Sequence, residues 1–207
     1  MSGGGSNLQA LLDELAGSSV ARVARVVASR PDAGALERAR RAGVATAVLA
    51  DPADADEVVA ALGDAGVVVL AGYLRRVPPA AVARFRLRMI NIHPALLPAF
   101  GGAGMYGRRV HEQVLASGMG MSGATVHYVD EEYDHGPIIA QWPVPVRADD
   151  TPETLAARVL EVEHRLLPLV VTALARRAPW GGGAPLRLFA IGSAFVTGDK
   201  LAVQLSG

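Results

Sequence analysis

Apolar positions along the chain switch repeatedly between two periods. Leu8, Leu11, Leu12 and Leu15 recur at helical spacing behind Asn7, a residue able to cap a helix. Val23 to Ala28 alternates Val with Ala and Arg as a strand does; residues 34 to 42 return to helical spacing. Ala45 to Leu49 then predicts a short strand and Asp54 to Leu62 a helix. Gly66 to Ala71 has no polar side chain, the pattern of a strand buried on both faces. Pro78 to Phe85 predicts a helix and Arg88 to Ile92 a strand. Past Gly107 a helix runs to about Ala116, and strands follow near Ala124 to Val129 and Ile138 to Val146. A long helix spans Thr151 to about Arg176, with Leu155, Val159, Val162, Leu166 and Val170 as its apolar stripe. The tail holds a Gly-rich loop, Gly181 to Gly183, and a hairpin from Leu186 to Val203. Strands alternating with helices predict one α/β domain over residues 1–207, a parallel sheet covered by helices.

The N-terminus departs from that scheme. In doubly wound folds a Gly-rich turn follows the first strand. Here the Gly-rich stretch SGGGSNLQALL begins at residue 2, so the first strand is expected to be absent from the N-terminus. Gly3 to Asn7 leads straight into a helix, and free N–H groups at a helix start favour an anion such as phosphate. No Lys-Ser/Thr pair follows, which disfavours an ATP-binding loop of the Walker type.

Composition narrows the class without naming an activity. About half the residues (51%) are hydrophobic, yet no apolar run approaches the length of a membrane span and no secretory signal opens the chain. There is no cysteine, so disulfides and thiolate metal sites are excluded, and a cytoplasmic location is expected. Twenty basic residues balance twenty acidic ones with no basic stripe, which disfavours nucleic acid as partner. A monomer or homodimer acting on small molecules is expected.

Two stretches carry chemistry. In MINIHPALLPAF, residues 89 to 100, an apolar strand ends with Asn91 and His93 two positions apart, before Pro94. Alternate strand residues face one side, so both side chains can enter one cavity. In HYVDEEYDHGP, residues 127 to 137, a strand runs into an acidic loop closed by Gly136-Pro137. Such loops are usually solvated surface, but Asp134 turned inward would pair with His93 for proton transfer. A metal held by His127, Asp134 and His135 is ranked low, since no His-x-x-x-His or His-Glu-x-x-His spacing supports it. His111 and His164 are read as structural.

NIHPALLPAF, SGGGSNLQALL, AGYLRRV (Ala71 to Val77), SGATVHYVDEEYDHGPIIAQ (Ser122 to Gln141) and VEHRLLPLV (Val162 to Val170) together resemble the phosphoribosylglycinamide formyltransferase family, from residue 2 to about 175. The resemblance implies a Rossmann-like formyltransferase fold and transfer of a formyl group from 10-formyltetrahydrofolate to the amine of glycinamide ribonucleotide in purine synthesis, with no metal. Carried over by position, Asn91, His93 and Asp134 match the catalytic trio. Gly5, Ser6 and Asn7 match the nucleotide-phosphate loop and Glu163 an acidic contact to the same substrate. Leu74, Arg75, Arg76 and Val77, with Asp130, Glu131, Glu132, Tyr133 and Asp134, match the folate-binding segments.

In that chemistry the formyl oxygen gains negative charge as the amine attacks. Asn91 and a protonated His93 are expected to donate to it, and Asp134 to hold His93 charged. Phe100-Gly101-Gly102 lacks the proline that the family often places before the glycine, a change expected to loosen that loop. The competing readings are 10-formyltetrahydrofolate deformylase, methionyl-tRNA formyltransferase, and a non-catalytic folate- or nucleotide-binding module. The first usually carries a second His where this chain has Pro94, and the second needs a C-terminal RNA-binding domain.

Overall fold

The computed structural model describes residues 4–177 and three further strand segments near the C-terminus. In chain order the elements are α1 (Ser6–Glu14), β1 (Arg25–Ala28), α2 (Gly34–Arg41), β2 (Ala45–Val48), α3 (Ala55–Leu62), β3 (Val68–Leu70), α4 (Pro79–Arg84), β4 (Met89–His93), α5 (Arg108–Ala116), β5 (Met121–Tyr128), β6 (Ile138–Pro145) and α6 (Pro152–Ala175). Strands β7 (Leu188–Ile191), β8 (Ala194–Thr197) and β9 (Ala202–Gln204) follow as an antiparallel meander where a hairpin is expected; Gly181 to Gly183 lie outside the described residues. No helix among the described residues is long and apolar enough to cross a membrane.

Parallel pairing joins β1 to β2 and β3 to β4, while β5 and β6 extend the second sheet in antiparallel order, β3-β4-β5-β6. The chemistry sits where the pairing changes direction. Asn91 of β4 stands opposite His127 of β5, and His93 opposite Thr125, so one face of two strands gathers four polar side chains.

The opposite face is apolar. Ile90 and Ile92 pack with Val126, Leu11, Leu155, Leu166 and Val170 between the sheet and helices α1 and α6. A second cluster, including Val58, Val68, Val82, Phe85 and Met89, joins α3 and α4 to the sheet around β3. Truncating a fully buried leucine such as Leu155 or Leu166 is expected to cost about 2–5 kcal/mol. Local signals start the helices of this core. Asp54 accepts the N–H groups of Asp56 and Glu57 at the start of α3, and Thr151 and Thr154 form a reciprocal capping box on α6.

Two expectations are corrected. The N-cap of α1 is Gly5, not Asn7, and Asn7 lies buried in the first turn. On α6 the buried stripe passes through Leu155, Val159, Glu163, Leu166 and Val170, leaving Val162 only partly buried. Turns of 3.6 residues carry the stripe from 159 to 163, which places a carboxyl group in an otherwise apolar line.

Candidate active site

Strand β4 delivers Asn91 and His93 to the rim of the sheet, and the loop that follows is fastened back onto β5 and β6. Thr125 Oγ1 donates to the Ala95 carbonyl (2.6 Å) and accepts the Leu97 N–H (3.1 Å), while Gln141 Nε2 donates to the Leu97 carbonyl (2.9 Å). Further along, His93 Nε2 lies 2.8 Å from the Phe100 carbonyl, and the Gly102 N–H donates to Asp134 Oδ2 at 3.0 Å. A Cβ at Gly101 would come within 2.5 Å of Leu97 Cδ2 and 3.2 Å of Asp134 Cβ, so a larger residue there would press on both side chains. The loop is therefore held by two site side chains despite the missing proline. Phe100 (φ 57°) and Asp134 (φ 54°) both adopt left-handed backbone, a strained conformation for side-chain-bearing residues.

The structure brings Asn91, His93 and Asp134 together. Asn91 Nδ2 donates to Asp134 Oδ1 at 3.2 Å, and His93 Nδ1 faces Asp134 Oδ2 at 3.4 Å. A fourth group joins them: His127 Nε2 is 3.1 Å from Asn91 Nδ2 and its Nδ1 is 2.8 Å from the Tyr128 carbonyl. Because a carbonyl only accepts, His93 carries a proton on Nε2 and His127 one on Nδ1.

The electrostatics differ from expectation. Burial pushes the His93 imidazole below its ordinary pKa of 6.5, and the charge of Asp134, which acts upward, does not offset it. His93 is thus neutral near pH 7 rather than held charged. For Asp134 burial acts upward, yet the carboxyl is kept below its usual range, with the Gly102 N–H among the groups that act downward. With both N–H groups of Asn91 already engaged, neither Asn91 nor His93 offers the free donor expected for an oxyanion.

A cavity of about 520 Å³ opens from this cluster. At one end lie Gly5 and Asn7 of the N-terminal turn, with Ser6 beginning α1 between them. Gly5 is left-handed (φ 68°) and a Cβ there would meet the Ala35 backbone at 2.8 Å. The turn leaves helix N–H groups without a side-chain cap. Glu163 forms the adjoining wall, 7% exposed, and accepts from Asn7 Nδ2 at 2.7 Å; burial pushes its carboxyl up to about 7. At the other end Leu74 to Val77 and Asp130 to Tyr133 line the opening, joined where Arg76 donates to the Glu131 carbonyl (2.9 Å). Leu74 and Tyr133 stay exposed there, and Val77 is buried.

Sequence reasoning missed several members. His127 sits among apolar neighbours on a strand, and no local signal separates it from a core histidine. The Phe100 carbonyl and Gly102 N–H are backbone groups aimed by loop conformation. His111 is read as structural from sequence, yet it lines the cavity on α5, with a buried Nδ1 that has no partner and a pKa that burial lowers to about 4. Among the described residues no three His, Cys, Asp or Glu side chains are placed to hold a metal, and His135 pairs instead with Asp130 at the surface.

The sequence pattern of the family described as formyl transferase matches residues 1–171. The chain is 46% identical over 198 residues to the chloroplastic phosphoribosylglycinamide formyltransferase of Arabidopsis thaliana, covering 90% of this chain and 68% of that protein. It is 40% identical over 181 residues to the phosphoribosylglycinamide formyltransferase of Escherichia coli strain K12, covering 83% of each. The crystal structure of the enzyme of that name from Anaplasma phagocytophilum superposes with a TM-score of 0.77 at 31% identity, covering 99% of this chain and 90% of the other.

Proposed function

The chain belongs to the formyl transferase family, and on that premise we propose that its cavity binds glycinamide ribonucleotide with 10-formyltetrahydrofolate and moves the formyl group to the ribonucleotide's amine, a step of purine synthesis. The observation that carries the reading is the Asn91–His93–Asp134 cluster at the end of β4, set between an uncapped helix start and the Leu74–Val77 and Asp130–Tyr133 segments. The helix start suits the phosphate of the ribonucleotide, and Glu163 stands beside it as an acceptor for the same molecule. At the other end, apolar Leu70, Val77 and Val129 with nearby backbone groups suit a flat pterin.

The amine nitrogen bonds to the formyl carbon, and the carbonyl π electrons move to oxygen. Neutral His93 takes the amine proton on Nδ1, its only nitrogen not already donating. The imidazolium so formed lies 3.4 Å from Asp134 Oδ2, which stabilises it, and presents a charged N–H beside the developing oxyanion. When the carbon–nitrogen bond to the folate breaks, the same proton passes to the leaving nitrogen, giving the formylated ribonucleotide and tetrahydrofolate. No covalent enzyme intermediate is needed.

The test is a formyl-transfer assay with both substrates beside a control lacking the ribonucleotide. Formylation of the amine, with negligible formate released in the control, is expected. Equal formate release with and without the ribonucleotide would make the protein a hydrolase instead, and transfer to methionyl-tRNA alone would also overturn the assignment.

A further inference from the structure

We propose that His127 is a positioning residue that turns the Asn91 carboxamide so that Asn91 Oδ1 faces the cavity and accepts an N–H of the attacking amine. The inference rests on the formyl-transfer reading for the identity of the amine, but its geometry stands on its own.

The Nδ1 of His127 is 2.8 Å from the Tyr128 carbonyl and therefore carries the ring proton. The Asn91 carboxamide has one orientation that Asp134 tolerates. Its Nδ2 lies 3.2 Å from Asp134 Oδ1, and turning the amide over would set oxygen against a carboxylate. The second N–H of Nδ2 then faces His127 Nε2 at 3.1 Å, which must accept it with a lone pair. His127 Nε2 is 3.5 Å from Asp134 Oδ1, longer than either bond to Asn91, so the amide stands between the two and is satisfied by both. At 2% exposure His127 shows little surface to solvent.

Asn91 Oδ1 is left without a protein partner, on a residue that lines the cavity. An attacking amine gains positive charge on nitrogen as it bonds to carbon, so its N–H groups become stronger donors along the way. An acceptor fixed at that point binds the addition state more tightly than the bound amine, the condition for raising kcat rather than lowering KM. The imidazole serves because its Nε2 presents a lone pair at the right depth. The register shift between Val126 and His127 in the β5–β6 pairing falls at this residue, as bulges that re-aim a side chain do.

Two measurements test it. Nitrogen NMR of histidine-labelled wild-type protein needs no turnover; the His127 ring proton is expected on Nδ1, with Nε2 bare. A proton on Nε2 would overturn the proposal whatever the substrate proves to be. For kinetics, His127→Gln keeps an acceptor near the Nε2 position and is expected to hold kcat within about threefold, while His127→Leu lowers kcat on the order of tenfold to a hundredfold with both KM values little changed. A leucine variant with wild-type kcat, or a glutamine variant that falls as far as the leucine one, rejects the idea; where His127→Leu does not fold, the tautomer and the glutamine variant decide. Failure of the formyl-transfer reading itself appears separately, as absent transfer by the wild-type protein.

Discussion

Two histidine–aspartate pairs share one loop and behave in opposite ways. His135 Nδ1 lies 2.8 Å from Asp130 Oδ2 at the surface, with side chains 66% and 36% exposed. His93 Nδ1 lies 3.4 Å from Asp134 Oδ2 inside the cavity, with side chains 4% and 11% exposed. The hydrogen bond and charge of Asp130 raise the His135 pKa, whereas burial lowers that of His93 although Asp134 pulls upward. A carboxylate beside an imidazole therefore does not by itself make a charged histidine. Where water is excluded and the contact is longer than a hydrogen bond, desolvation decides the sign. The buried pair is left with a neutral base and an ionised neighbour, the state that proton abstraction requires.

The sharpest way to break this contrast is to remove each ring. His93→Gln is expected to lower kcat by roughly a hundredfold to ten-thousandfold, while His135→Gln stays within about twofold, as exposed pairs contribute little. Comparable losses in both variants would mean that the surface pair takes part in the chemistry.

Asp134→Asn sharpens it next. Removing the charge is expected to reduce kcat at least about a hundredfold. It also removes the upward pull on His93, so the acidic limb of the pH–rate profile moves to lower pH. A limb that stays in place or moves upward would show that Asp134 does not act on His93 electrostatically.

Glu163 supplies a third case, a buried carboxyl whose first influence is burial, only partly opposed by the hydrogen bond from Asn7. Its pKa of about 7 against an ordinary 4.5 means that the folded protein keeps a proton the unfolded chain has lost between those values. Stability should thus fall as pH rises through that window. Glu163→Gln keeps an acceptor for Asn7 and removes this dependence. The wild-type melting temperature, relative to the variant, is expected to drop by roughly 5 °C from pH 4.5 to 7; parallel melting curves would contradict the shifted carboxyl.

The smallest effect belongs to Asp130→Asn. The His135 titration, followed by NMR, should move down toward its ordinary value of 6.5 with no change in melting. A His135 pKa unmoved by the substitution would remove the surface half of the comparison.

What could be read from sequence follows how far each signal reaches along the chain. The element order was legible because 3.6- and 2-residue periods are local, and the shared facing of Asn91 and His93 is a property of one strand. That His127 stands opposite Asn91 was not, since an antiparallel register is fixed by partners 36 residues apart. Asn7 looked like a cap because Asn often is one; the left-handed backbone available to Gly5 took that place and sent Asn7 inward to Glu163. The expected charge on His93 failed for another reason. Pair chemistry can be written from residue types, but the desolvation that outweighs it depends on how much of the fold closes over the ring.

The carbonyl of Phe100 has a consequence for the order of events. By holding Nε2 of His93, it leaves the ring a single port for exchange. A proton collected there can be returned only there, so donor and recipient must both come within reach of that one atom. Direct transfer without a covalent enzyme intermediate, as proposed, then requires both reactants in the cleft at the same time. Initial rates measured over both concentrations should give intersecting rather than parallel double-reciprocal lines, the mark of a ternary complex.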